Sequence, residues 1–208
     1  MAIELLDEHE QGERVRDWLR RNGLGLVAGV AVGLAIIGGW QWWQRQQLAE
    51  RMQAGERYQA ALASLRAGDL EQGASQAAAL RDGPYATLVV LDLAKAQLEA
   101  GDRDAAIATL EQGAGADPVF EAVRRQRLAR LLIDADRAGE AVELLAGTED
   151  VAGLEVLGDA SFAMDRREEA REAYLGALRQ LDANAPQRRL LELKLTQAGG
   201  TPPQPETI

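Results

Sequence analysis

Leu93–Leu110 reads LAKAQLEAGDRDAAIATL, and the same pattern returns without gaps at Leu128–Leu145 (LARLLIDADRAGEAVELL) and Leu157–Tyr174 (LGDASFAMDRREEAREAY). Each window opens on Leu followed by Ala or Gly and carries a polar Asp-Arg turn near its middle. Each then places Ala at one fixed position (Ala106, Ala141, Ala170) and closes on a bulky residue (Leu110, Leu145, Tyr174). A degenerate copy lies at Ala60–Ala77, with Gly68-Asp69 as its turn and Gly73 where the others have Ala. Apolar residues at i, i+3 and i+4 on both sides of the turn predict two short amphipathic helices per window. The Gly or Asp turn breaks the first helix, and Asp can cap the second. Small residues on both helices let the pair pack closely. One such hairpin cannot bury its own apolar surface, so consecutive hairpins stack into an array. Leu and Ala dominate the composition and only two Phe and three Tyr occur, which favours helix over sheet. The predicted fold class is all-α.

Towards the N-terminus the pattern changes. No charged residue occurs between Asn22 and Gln44. As a helix, Leu24–Trp43 would be about 30 Å long, the thickness of a bilayer's hydrocarbon core. Arg20 and Arg21 bound it on one side and Arg45 on the other, with Trp18 before it and Trp40, Trp42 and Trp43 at its far end. Indoles favour the water–lipid boundary, so these tryptophans read as membrane-interface residues. A cleaved signal peptide would end in small residues, whereas this run ends Trp-Gln-Trp-Trp. A buried core helix would show a polar face, and this run has none. Lys and Arg near the two ends number four before the span (Arg14, Arg16, Arg20, Arg21) and three after it (Arg45, Arg51, Arg57). The bias places the N-terminus in the cytoplasm and the large domain across the membrane. Gly25, Gly29 and Gly33 form one smooth stripe, a surface on which a second membrane helix can pack; small residues are also simply common in such spans.

Beyond the span, Gln44–Leu65 contains no Pro and only Gly55, so the membrane helix is predicted to continue into the first repeat helix. At the other end, Asn184-Ala185-Pro186 predicts a helix start with Pro in the first turn. Gln187–Gln197, with Leu190, Leu191, Leu193 and Leu195, then reads as a helix capping the last repeat. Gly199–Ile208 carries three prolines and reads as a disordered tail. The organisation is therefore a short cytoplasmic tail (1–23), a transmembrane helix (24–43), a repeat domain (44–198) and a tail (199–208).

The chemistry that remains is sparse. A formal net charge of −10 argues against nucleic-acid binding, which needs a basic face. There is no cysteine, which removes disulfides, thiol nucleophiles and zinc thiolates. The sole histidine, His9, lies in the polar N-terminal segment, away from any nucleophile it could activate. No glycine-rich loop follows a strand. Neither an enzyme nor a cofactor nor a small-molecule substrate is expected. Arg124, Arg125, Arg127 and Arg130 form the densest basic cluster. They make either a solvated face balanced by Glu121 and Asp134 or a contact for an anionic partner.

These windows resemble a tetratricopeptide repeat. Ala94 and Ala106 take that motif's small positions, Leu110 its large one, Gly113 the next small one and Pro118 the terminating proline. In such arrays the inner face is lined mainly by the first helix of each hairpin. The resemblance thus implies partner contacts at Lys95 and Leu98, at Arg130 and Ile133, and at Asp159 and Phe162. Packing of Leu98, Ile133 and Phe162 into the core is the competing reading. The whole chain, with "ERVRDWLRRNG" followed by "VGLAIIGGWQWW", further resembles the YfgM family of ancillary SecYEG translocon subunits. That resemblance implies a single-pass inner-membrane protein with its repeats in the periplasm, near the translocon and the membrane-bound chaperone PpiD. The alternative function is a structural scaffold for envelope assembly or cell division.

Overall fold

The computed structural model describes residues 4–80, 83–113 and 118–203, with side chains described from residue 16 onward. Among them are nine α-helices and no strand. The chain divides into two units, residues 1–53 and residues 54–208.

The first unit is the greater part of α1 (Glu4–Arg66), which runs unbroken through the apolar stretch and on to the first repeat turn, as the lack of breakers predicts. It holds the one helix, among the described residues, that is long and apolar enough to cross a membrane, and none of its most apolar window is buried.

The second unit is built of hairpins. The end of α1 pairs with α2 (Leu70–Ala78), α3 (Pro84–Glu99) with α4 (Arg103–Gln112), α5 (Pro118–Asp134) with α6 (Ala138–Leu144), and α7 (Val151–Ala163) with α8 (Arg167–Arg179). The predicted small positions are the tightest points of the fold. Ala61, Ala106, Ala129, Ala141 and Ala170 are fully buried, as is Leu110 to within 1% and Tyr174 to within 2%. Where Gly replaces Ala the reason is contact. A Cβ at Gly73 would lie 2.3 Å from Leu65 Cδ2, and one at Gly158 would lie 2.4 Å from Tyr174 Cε1. A main core joins α3 through α7, and two smaller cores lie at the array's ends.

The turn shows a regularity that the predicted Asp-Arg motif matches only in part. Every hairpin turns at the ninth residue of its window, which adopts positive φ: Gly68, Gly101, Asp136 and Asp165. The hydrogen bonds repeat as well. Asp102 N donates to Gln97 O and Gly101 N to Leu98 O. Arg137 N and Asp136 N do the same to Leu132 O and Ile133 O, and Arg166 N and Asp165 N to Ser161 O and Phe162 O. This paired closure satisfies the last carbonyls of each first helix and requires a left-handed residue. In the first two hairpins Gly takes that residue and Asp follows as N-cap, Asp69 accepting from Gln72 N and Asp102 from Ala105 N. In the next two, Asp takes the left-handed place and Arg137 or Arg166 stands at the N-cap with no side-chain bond to the helix. The expectation that Asp caps the second helix therefore fails for those two units, because the Asp has moved back by one residue.

Two other expectations are corrected. Pro118 opens α5 instead of closing α4. Pro186 lies in a turn before α9 (Arg188–Gln197), whose N-cap is Gln187. α9 covers the end of the array with Leu191, Leu195 and Ala198, all fully buried. With Leu191 counted as a first position, Gly199 is the ninth. It has φ +83° and the same closure, Gly200 N donating to Leu195 O. α9 thus ends as the first helix of a repeat unit does. Gly199 and Gly200 belong to its cap and not to a tail. Of the predicted disordered tail, residues 204–208 lie outside the described residues.

Candidate protein-interaction surface

α3 packs beside α5, and α5 beside α7. Residues at equal window positions on these helices therefore form rows across the array. One row is Lys95, Arg130 and Asp159; the other is Leu98, Ile133 and Phe162. In the apolar row Leu98 is 44% and Phe162 38% exposed, while Ile133 is half-buried against the main core. Leu98 and Phe162 are therefore surface residues, and only Ile133 fits the core reading. They are the last or nearly the last residues of their helices, where the turn leaves no following side chain to cover them.

In the charged row Lys95 is exposed and lies 3.7 Å from Glu99. Arg130 is exposed as well. Asp159 is occupied inside the protein. Its Oδ1 accepts from Tyr174 Oη at 2.7 Å, and its Oδ2 accepts from Lys194 Nζ at 2.7 Å. Lys194 Nζ also donates to Glu155 Oε1 at 2.6 Å. This cluster ties α9 to α7 and α8. Burial and the bond to Asp159 hold the Tyr174 hydroxyl protonated far above its usual range. For Lys194, burial disfavours the charge, but the bonds to Asp159 and Glu155 outweigh it and raise its pKa. No spacing in the sequence could have paired Lys194 with residues so far upstream.

The basic cluster divides by helix face. Arg124 is buried, pairs with Glu121, and donates from Nη1 to Leu110 O near the end of α4. Arg125 donates to Leu144 O, the last residue of α6. Arg127 and Arg130 point into solvent. Arginines serve helix ends elsewhere too. Arg103 Nη1 donates to Asp134 O at 2.6 Å, and Arg188 Nη1 to Leu178 O in the last turn of α8 at 3.4 Å. Cations there satisfy orphan carbonyls and oppose the negative end of the helix dipole.

A concavity of about 380 Å³ lies among α2, α3 and α4, lined by Ala77, Ala86, Val90, Leu93 and Gly113. Its polar edge includes Gln97, whose Oε1 accepts from Thr109 Oγ1 at 2.7 Å. Among the described residues no group of His, Cys, Asp or Glu could hold a metal ion. The side chain of His9 lies outside the described ones.

On α1, Leu24 (88% exposed), Val27, Val30, Leu34, Ile36 and Ile37 are uncovered, as are Trp18, Trp40, Trp42 and Trp43. Gly25, Gly29 and Gly33 share an open face, with nothing within 4 Å of a Cβ built at any of them.

A family model described as a tetratricopeptide repeat-like domain matches residues 16–200. The chain is 30% identical over 143 residues to the ancillary SecYEG translocon subunit of Escherichia coli (strain K12), covering 67% of this chain and 69% of that protein. The chain belongs to the family of ancillary SecYEG translocon subunits. A second such subunit, from Aggregatibacter actinomycetemcomitans, is 23% identical across 91% of this chain and 97% of its own length. Among solved structures, the tetratricopeptide-like repeats of a Podosopora anserina kinesin light chain superpose with a TM-score of 0.51 at 18% identity. They cover 70% of this chain and 84% of that one. This likeness is one of fold. In this chain the repeat domain is an array of helical hairpins whose first helices α3, α5 and α7 lie side by side.

Proposed function

We propose that this chain is a single-pass inner-membrane adaptor of the secretion translocon, with its N-terminus in the cytoplasm, residues 24–43 in the bilayer and its repeats in the periplasm. The supporting observation is the conjunction, in one chain, of an apolar helix that no protein surface covers and a repeat domain matched to ancillary SecYEG translocon subunits. A large aliphatic side chain left in water forgoes roughly 1.5–3 kcal/mol relative to burial, and lipid removes that penalty for the whole run. Trp40 and Trp43, with ring centroids 5.4 Å apart, sit where an interfacial belt belongs. Arg20 and Arg21 at the proximal end support the orientation. Gly25, Gly29 and Gly33 offer a neighbouring membrane helix a close approach.

Across the membrane, the repeats would bind the translocon, a membrane-bound chaperone of the PpiD type, and chains emerging from the channel. Affinity purification of the tagged full-length chain from gently solubilised membranes should recover SecY and the chaperone with it. Recovery of the chain alone would refute the translocon reading. Alkaline phosphatase fused to the C-terminus should be active. A fluorescent green-protein fusion at that end would reverse the orientation.

A further inference from the structure

The array repeats its geometry with one departure beside the second helices. In the register set by Leu93 and Leu128, Val90 of α3 stands where Arg125 stands in α5, and Thr109 of α4 stands where Leu144 stands in α6. Arg125 donates to Leu144 O, so the third unit brings its own guanidinium to the end of its second helix. Val90 has no donor for the corresponding oxygen, Thr109 O. Beside both residues lies the concavity of about 380 Å³ among α2, α3 and α4.

The floor of that concavity is apolar, with Ala77, Ala86, Val90 and Leu93, and its rim is polar, with Gln97 and Gln112. No lining residue is charged. Leu80 and Gly113 also line it, so the C-terminal ends of both α2 and α4 border it. Such helix ends carry partial negative charge, and neither helix has a basic residue in its last turn. Thr109 O accepts from Gly113 N at 3.1 Å, and a carbonyl oxygen has a second lone pair to offer. The three helices carry Glu71, Asp92, Glu99, Asp104 and Glu111 against Lys95 and Arg103. Lys95 lies against Glu99, Arg103 reaches Asp134 O, and Arg137 of α6 engages Glu111. Glu71 and Asp104 stay exposed. The surroundings therefore favour a cation.

We propose that this concavity receives an arginine side chain from a protein partner. The stem lies on Ala77, Val90 and Leu93, as long cationic side chains cover apolar surface. The guanidinium meets Thr109 O and the rim of Gln97 and Gln112, as Arg125 meets Leu144 O one unit further on. A guanidinium presents its donors in a planar fork that bridges two acceptors, whereas an ammonium is a point charge. A wholly apolar side chain would fill the floor and leave the helix ends uncompensated.

The inference rests on the repeat domain being a protein-binding module, and the test separates it from the translocon reading. The probe is a fluorescein-labelled Gly-Ala-Arg-Ala-Gly peptide, titrated against the full chain in nanodiscs of neutral lipid. Two control peptides carry lysine or norleucine at the central place. The arginine peptide should bind about tenfold more tightly than the norleucine peptide, the ratio that one charge-assisted hydrogen bond supplies, with the lysine peptide between them. Val90→Arg places the chain's own guanidinium in the concavity and should abolish the preference for arginine. Gln112→Lys should do the same by like charge. Gln112 is exposed, so an unchanged circular dichroism melt is expected, and this variant reads the concavity even where Val90→Arg disturbs packing. Equal binding of the arginine and lysine peptides would reduce the effect to attraction by a net charge of −10 and overturn the proposal. Equal binding of the arginine and norleucine peptides, or a preference that survives Gln112→Lys, would overturn it as well. The titration contains no translocon component, so its failure leaves the co-purification of SecY as a separate result.

Discussion

At the residue scale the fold is governed by size at the hairpin contacts and by chirality at the turns. Ala106 is fully buried in the main core, so Ala106→Leu should overpack the hairpin and cost on the order of 1–3 kcal/mol. Urea unfolding reads this as a lower midpoint, and an unchanged midpoint would contradict the repeat packing. Asp136 and Asp165 hold φ values of 60° and 57° at positions where other units have Gly. An L-residue there is strained by about 1 kcal/mol, less the entropy that Gly loses on folding. Asp136→Gly and Asp165→Gly should each stabilise the chain, by roughly 0.5 kcal/mol on that balance, raising the thermal midpoint. The windows made the buried alanines legible. The left-handed positions were not legible, because Asp-Arg looks alike whether its Asp closes the first helix or caps the second. Only backbone geometry separates the two.

At the element scale, helices are fastened to one another by polar contacts that the windows do not encode. Tyr58 near the end of α1 donates to Asp92 Oδ2 of α3 at 2.7 Å and lies 5.4 Å, centroid to centroid, from Tyr85. Burial, then the bond to Asp92, raises its pKa from 10.0 to about 12. The folded state therefore holds this proton more tightly than the unfolded chain does. The resulting stability is fully present below pH 10 and is lost as the pH climbs through about 12. Denaturant midpoints measured across that interval should fall in the parent chain. The fall should be shallower in Tyr58→Phe, which has no proton to lose. Identical slopes would show that Tyr58 is not the titrating group. The arginine run on α5 carries the same lesson about legibility. Four neighbouring cations look equivalent in sequence, yet successive residues turn by about 100° around a helix. Arg124 and Arg125 consequently reach Leu110 O and Leu144 O, while Arg127 and Arg130 are left facing solvent.

At the scale of the whole molecule, two units with different surfaces share one chain. The second has its own buried clusters, whereas the apolar window of the first is wholly unburied. Removal of residues 1–43 should leave a fragment that stays in the supernatant after membranes are pelleted and gives a strongly helical circular dichroism spectrum. The full chain should pellet with the membranes. A fragment that precipitates or lacks helical signal would show that the repeats depend on the removed segment.

What the sequence determined by itself was everything written in local periodicity. It carried the helices, the hairpin repeat with its alanine contacts and the uncharged run of bilayer length; the rows of Lys95, Leu98 and their counterparts came from the tetratricopeptide resemblance. Helical spacing is a property of neighbouring residues, so it can be read without knowing what lies across the fold. The tertiary structure alone decided which charges remain free. Asp159 is engaged because Lys194 arrives from the last helix, and Arg124 because α4 ends beside it. Both meetings depend on how distant helices pack, and that information is spread over the whole array.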